Sequence, residues 1–257
     1  MSLYTVIGKR GNLLSESPEH CRQIMLDSPI LLDADVDKLR VIGGDFPSAD
    51  VSCLWPAAEG PEGLEKAVQR ICAEVETAVD TGARIIILSD RGVDSAQVAV
   101  PMLLAMGAVH HHLRKVGKRM RASVICETAE ARDVHQVACL VGYGASCVNP
   151  YLGFEAVREL IENGKLEEDF ASAAMKYKTA LENGLLKIMS KMGISVVSSY
   201  RGAQIFEAIG ISTRLVEQCF TGTSTQIEGL GFEEIATESL TRHTMAFSGT
   251  VPLEPGK

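Results

Sequence analysis

Several things that would announce a function are missing from this sequence. No two of its seven cysteines form a CxxC pair, and Cys21, Cys53, Cys72, Cys126, Cys139, Cys147 and Cys219 are scattered, mostly inside apolar runs. That pattern excludes a disulfide framework or a cysteine zinc site and fits reduced thiols packed as small hydrophobes in a cytoplasmic setting. No basic tract is longer than KVGKRMR (Lys115 to Arg121), and 33 acidic against 25 basic residues give a formal charge of −8, which argues against nucleic acid as a partner. No apolar run reaches membrane-spanning length, and the N-terminus lacks the basic-then-apolar layout of a signal peptide, so no membrane partner is expected. GxSxG, HExxH, P-loop and GxGxxG motifs are all absent, leaving nucleophilic, zinc-hydrolase and dinucleotide chemistry without support.

What is present is a bulk of apolar sequence, 46% of 257 residues, enough to bury one sizeable core. Residues 1–50 carry turn formers and caps: Ser17-Pro18-Glu19 can start a short helix through Leu26, and Asp33 another through Leu39. They read as an N-terminal arm with two short helices. From Val51 to about residue 245, strand-like and helix-like segments alternate, the pattern of a parallel sheet wrapped in helices, and residues 246–257 form a Gly/Pro-bearing tail. Strands are expected at 51–55, 83–90, 121–128, 146–151, 194–200 and 224–228, and helices at 61–82, 95–116, 131–141, 154–192, 204–208, 213–220 and 232–243. Asn163-Gly164 and Asn183-Gly184 each look like a helix C-terminus. The fold class is α/β, an irregular or incomplete TIM-type (β/α) barrel with about six recognisable parallel strands, since a complete barrel needs about eight; an open doubly wound sheet is the rival.

Chemistry in either architecture gathers where strands end and helices begin. The polar residues there are Asp90, Arg91, Glu127, Asn149, Tyr200, Arg201 and Glu228, and Arg201-Gly202 is the best anion-site candidate among them. Each has a bland reading as a helix cap or loop residue. His110, His111 and His112 fan out by about 100° per residue on a helix and cannot converge on one metal. His135 and Cys139, four residues apart, supply two ligands at most, which favours packing over metal binding.

The stretch GLLKIMSKMGISVVSSYRGAQIFEAIGI (Gly184 to Ile211), with FTGTSTQIEGLG (Phe220 to Gly231), resembles the end of the central domain of the glutamate synthase large subunit. GNLLSESPEHCRQIMLDSPIL (Gly11 to Leu31), RIIILSDR (Arg84 to Arg91), the Ala108 to Leu113 segment and ETAEARDVHQVACLVGYGASCVNPYL (Glu127 to Leu152) resemble it in the same order. The resemblance implies a modular oxidoreductase of ammonia assimilation and glutamate biosynthesis: glutamine, 2-oxoglutarate and a reductant give two glutamates. It implies a glutaminase (amidotransferase) domain and an FMN domain with an iron–sulfur cluster as partners, this segment lying between them and shaping the ammonia tunnel. Residue 1 is Met where the glutaminase nucleophile would be a first-residue Cys, and the scattered cysteines do not reproduce the cluster loop. No catalytic, cofactor-binding or metal-binding residue is therefore carried over, and no cofactor is expected in this segment. Two expectations stand: a non-catalytic connecting domain that docks with partner domains or with a second copy of itself, and an independent small-molecule-binding β/α-barrel enzyme with a strand-end anion site.

Overall fold

A computed structural model describes residues 1–12 and 14–249; the expected tail at 246–257 thus falls mostly outside the described residues. The elements in chain order are β1 (Thr5–Ile7), β2 (Ile24–Leu26), α1 (Asp33–Val41), β3 (Ser48–Ser52), β4 (Leu54–Pro56), α2 (Gly63–Asp80), β5 (Ile85–Ser89), β6 (Gln97–Ala99), α3 (Met102–Lys115), β7 (Ser123–Glu127), α4 (Val134–Gly142) and β8 (Cys147–Asn149). They are followed by α5 (Tyr151–Glu162), α6 (Phe170–Lys191), α7 (Val197–Tyr200), β9 (Glu207–Ile211), α8 (Thr213–Cys219), β10 (Ser224–Leu230) and α9 (Phe232–Phe247).

The centre is a four-stranded parallel sheet in the order β3-β5-β7-β8. IIILS and SVICE form its two inner strands because β-branched side chains suit a pleated surface, and an unbroken apolar run suits burial on both faces. Alternation along the strands then sorts the side chains. Ile86, Leu88, Val124, Cys126 and Val148 join the larger core with α2, α3 and α4, whose apolar stripes they meet. Ile85, Ile87, Ile125 and Cys147 turn the other way, onto Ile7, Leu31, Val36 and Leu39. Residues 1–41 therefore lie against one face of the sheet, held by the antiparallel β1–β2 pair and by a parallel bridge from Ile30 to Val148. Within the same region α1 takes the second place where a helix is expected, but the first holds only the 3-10 turn Pro18–Cys21: Ile24–Leu26, expected to be helical, is β2, extended because it pairs with β1.

Helix boundaries follow cap chemistry. Asp133 and Gln136 exchange hydrogen bonds at the start of α4, Gln136 N–H to Asp133 Oδ1 at 2.9 Å and Asp133 N–H to Gln136 Oε1 at 3.2 Å. The Asp169 carboxylate accepts from Ser172 N–H at 3.0 Å to open α6. Gly164, at φ +66°, follows the end of α5. Asn183-Gly184, by contrast, lies inside α6 and ends nothing. A Cβ at Gly184 would stand 2.3 Å from Val134 Cγ2, so the glycine lets α6 close onto α4. Gly107 does the same for α3 against α8, where a Cβ would lie 2.3 Å from the Cys219 carbonyl oxygen.

Four further expected elements come out differently. VSCLW is two strands, β3 in the parallel sheet and β4 paired antiparallel with β6, because the chain leaves the sheet after Cys53 N–H bonds to the Ser89 carbonyl. Residues 95–116 are not one helix, since Pro101 holds its predecessor extended and α3 starts after it. The segment 194–200 is not a strand: Ser2 bridges Val196, and the next residues turn into α7. The β8 edge such a strand would need is already bridged by Ile30. Residues 204–208 are not helical, because Gly202 (φ +72°) and Gln204 (φ 52°) turn the backbone, after which β9 pairs in parallel with β10.

Candidate functional site at the strand ends

The parallel register puts the last residues of three strands in one row, with Ser89 beside Glu127 and Glu127 beside Asn149. Their parity is that of Ile87, Ile125 and Cys147, so these side chains face residues 1–41 rather than the α2–α4 layer. Glu127 is the centre of the row and is 1% exposed. Its Oε2 accepts from Arg40 Nη2 at 2.5 Å and from Ser89 Oγ at 2.6 Å, while its Oε1 accepts from Arg91 Nε at 2.7 Å. Burial alone would raise this carboxyl; the donors from Arg40, Ser89 and Arg91 outweigh it and hold the group below its ordinary value.

Both arginines are themselves tied to further acids. Arg40 also donates to Asp50 at 2.8 Å and Asp37 at 3.2 Å. Arg91 lies 3.3 Å from Asp33 and 4.0 Å over the Tyr151 ring. Asn149 Nδ2 donates to the Leu31 carbonyl at 3.0 Å and to Asp33 at 2.8 Å, pinning the start of α1 to β8. Asp90, fully buried, accepts from Thr128 Oγ1 at 2.6 Å and from Ala129 N–H at 3.1 Å. Burial raises its carboxyl even against those donors. It also raises the Tyr151 phenol, helped by the Asp90 charge.

Of the seven residues singled out from sequence, the structure therefore gathers Asp90, Arg91, Glu127 and Asn149. It does not gather Tyr200, Arg201 or Glu228. Tyr200 is buried on α7 with its ring edge-on to Phe206 and its hydroxyl without a partner. Arg201 sits at the opposite, N-terminal end of the strands, donating to the Ser146 carbonyl and Thr5 Oγ1, each at 3.1 Å. Glu228 is exposed on β10 and accepts from Thr213 Oγ1. Sequence reading missed Arg40, Asp33, Ser89 and Tyr151 as members of the cluster. Only their proximity to strand ends or to the Asp33 helix start hinted at them, and nothing local says that α1 crosses the strand ends.

Among the described residues no group of three or more His, Cys, Asp or Glu could hold a metal ion. Nor is any helix there long and apolar enough to cross a membrane. His112 Nε2 meets Glu76 at 2.6 Å, whereas His110 Nδ1 faces Arg119 Nε at 3.1 Å and the His111 ring lies edge-on to His110, 5.0 Å between centroids.

A sequence model described as the glutamate synthase central domain matches residues 1–212. The chain belongs to that family. It is 39% identical over 252 residues to the glutamate synthase [NADH] of Schizosaccharomyces pombe, covering 96% of this chain and 12% of that protein. It is 42% identical over 261 residues to ferredoxin-dependent glutamate synthase 2 of Synechocystis, covering 96% of this chain and 17% of that protein. The chain thus spans less than a fifth of the length of these relatives. Among solved structures, a flavocytochrome b2 double variant with sulfite bound superposes with a TM-score of 0.44 at 14% identity, over 67% of this chain and 38% of that one. As a glutamate synthase central domain, the chain is a mixed α/β unit with a mostly parallel central sheet.

Proposed function

We propose that this chain is the connecting central domain of a glutamate synthase large subunit, standing between glutaminase and FMN domains, shaping the ammonia tunnel and catalysing nothing on its own. One observation carries the reading: the strand-end row, where a β/α enzyme would keep its reactive groups, is spent on internal pairing. Glu127 has donors on both oxygens, and Arg40 and Arg91 each hold further carboxylates. A general base needs a free lone pair within reach of substrate, and an anionic substrate needs a cation not already neutralised. A flavin phosphate at the same face would meet the same arginines already engaged and the carboxylates of Asp33 and Asp50 beside them. These residues do not fit FMN, and in the parent enzyme FMN and the iron–sulfur cluster belong to a neighbouring domain. The six strands in parallel pairings, four in the central sheet and two in β9–β10, are read as an incomplete (β/α) barrel kept as scaffold.

The test is a visible spectrum of the purified chain before and after addition of FMN, with melting curves in 2-oxoglutarate, glutamine and glutamate. No retained flavin and no shift in melting temperature with any of the three is the expected result. Stoichiometric flavin binding, or a saturable shift with one of the substrates, would sink the reading in favour of a ligand-binding barrel.

A further inference from the structure

At the N-terminal ends of β7 and β8, at the end of the sheet opposite the Glu127 row, Gly8, Arg10, His110, Arg119, Ser123 and Arg201 line a cleft of about 170 Å³. Two of its guanidinium groups are fixed by neutral acceptors. Arg119 donates from Nε to His110 Nδ1 at 3.1 Å, from Nη1 to the Ala122 carbonyl at 2.9 Å and from Nη2 to the Gly144 carbonyl at 2.7 Å. Arg201 donates from Nη2 to Thr5 Oγ1 and the Ser146 carbonyl, and its Nε is buried with no acceptor at all. Arg10 is anchored only through its backbone N–H, to the Met120 carbonyl at 2.8 Å; its guanidinium has no partner among the described residues.

No carboxylate among the described residues pairs with any of the three, although the chain as a whole is acidic. Uncompensated buried charge is costly, and folded chains ordinarily place an acid beside it, as this one does for Arg40 and Arg91. Here burial and mutual repulsion push the Arg119 and Arg201 guanidinium groups down to about 10. His110 adds no competing charge: burial and the Arg119 cation push it down to about 3, so it is neutral at pH 7. With Nδ1 accepting from Arg119, its proton sits on Nε2, a further donor. A preformed set of cations held by main-chain carbonyls, with one N–H unsatisfied, is half of an interaction.

We propose that this cleft is an anion site and that it takes a phosphate ion, held by Arg10, Arg119 and Arg201. A monocarboxylate would offer one charge and two oxygens to three guanidinium forks, whereas phosphate offers between one and two charges and enough oxygens for each. The site lies at the opposite end of the sheet from the strand-end cluster, so its occupancy does not depend on the role of the chain in a glutamate synthase.

The experiment titrates inorganic phosphate into the purified chain at constant ionic strength, with sodium chloride as the balancing salt and sodium acetate as a second arm. Melting temperature and phosphorus NMR line width are followed. A saturable rise in melting temperature with phosphate, together with line broadening, and neither with chloride or acetate, is expected. Arg10→Ala removes a charge without removing any internal side-chain hydrogen bond, so it leaves the fold intact; loss of one charge-assisted contact should weaken phosphate binding by about 10- to 100-fold. Arg201→Gln, which loses more of its internal bonding, should abolish it. Equal stabilisation by chloride, a response to acetate in place of phosphate, or an Arg10→Ala variant that binds phosphate as well as the parent chain would each overturn the assignment.

Discussion

Replacing Glu127 by Gln tests the strand-end cluster directly. The amide keeps the size of the carboxylate but turns one oxygen into an N–H2 group, which must then face either Arg91 Nε, or Arg40 Nη2 and Ser89 Oγ. Only the serine hydroxyl can reverse its role. Donor therefore meets donor on one side, and the charge that compensated two guanidinium groups is gone. Breaking a buried pair by removing one partner costs about 3–5 kcal/mol. Arg40 and Arg91 keep Asp50, Asp37 and Asp33, and their side chains are 26% and 41% exposed, so water relieves part of the loss. The expected cost is roughly 2–4 kcal/mol at pH 7. For a chain of this size that is a drop in melting temperature of about 5–12 °C. Acid should erase the difference. Because the folded-state value of Glu127 is depressed, its contribution is fully present above the unfolded carboxyl value of about 4.3 and is lost as pH falls through the lower folded value. Urea midpoints measured at pH 7 and again in the acid range read both effects. A variant within about 0.5 kcal/mol of the parent at pH 7, or a gap that stays constant into acid, would refute the reasoning.

Two further outcomes follow from packing and burial. Gly184→Ala should destabilise by about 1–3 kcal/mol by overpacking, against a gain of about 1 kcal/mol in helix propensity; Val134→Ala in the same chain should restore most of the loss, and thermal melts of the two single variants and the double variant decide it. Of the seven cysteines only Cys21 is exposed, and burial raises the thiols of Cys72 to about 12 and Cys139 to about 11, so a disulfide reagent at pH 8 should label one thiol per chain rapidly and the others only on unfolding.

The readable parts of the sequence were those whose cause is local. Ile85–Ser89 and Ser123–Glu127 announce themselves because burial on both faces demands an unbroken apolar run, and α2 because its apolar residues recur with the helix period. What stayed hidden depended on a neighbour. ISVVSSY has a strand's composition, yet a strand needs an open edge, and Ile30 lies on β8. Asn183-Gly184 has a cap's composition, yet Val134 needs the glycine inside a continuous helix. At the candidate site, Asp90, Arg91, Glu127 and Asn149 were visible as strand-end polar residues. Arg40, remote in sequence from Glu127, was not, because only the docking of residues 1–41 brings it there. Arg201, expected at the C-terminal end of a strand, lies instead at the N-terminal end of the sheet, because the segment before it turns into α7.

The docking of residues 1–41 also has a consequence in time. Within this domain residues 1–41 leave the ribosome before nearly everything that holds them: Ile85 and Ile87, then Ser123 and Glu127, then Val148 and Asn149, and at last Val196 and Arg201. At roughly 5–20 residues per second, Ile30 waits on the order of ten seconds for Val148. Through that interval the Ile85, Ile87 and Ile125 face is also bare, so the newborn chain carries two complementary sticky surfaces that must find each other before they find another molecule. A lesion at Ile7, Leu31 or Val36 should therefore raise chaperone dependence as well as lower stability.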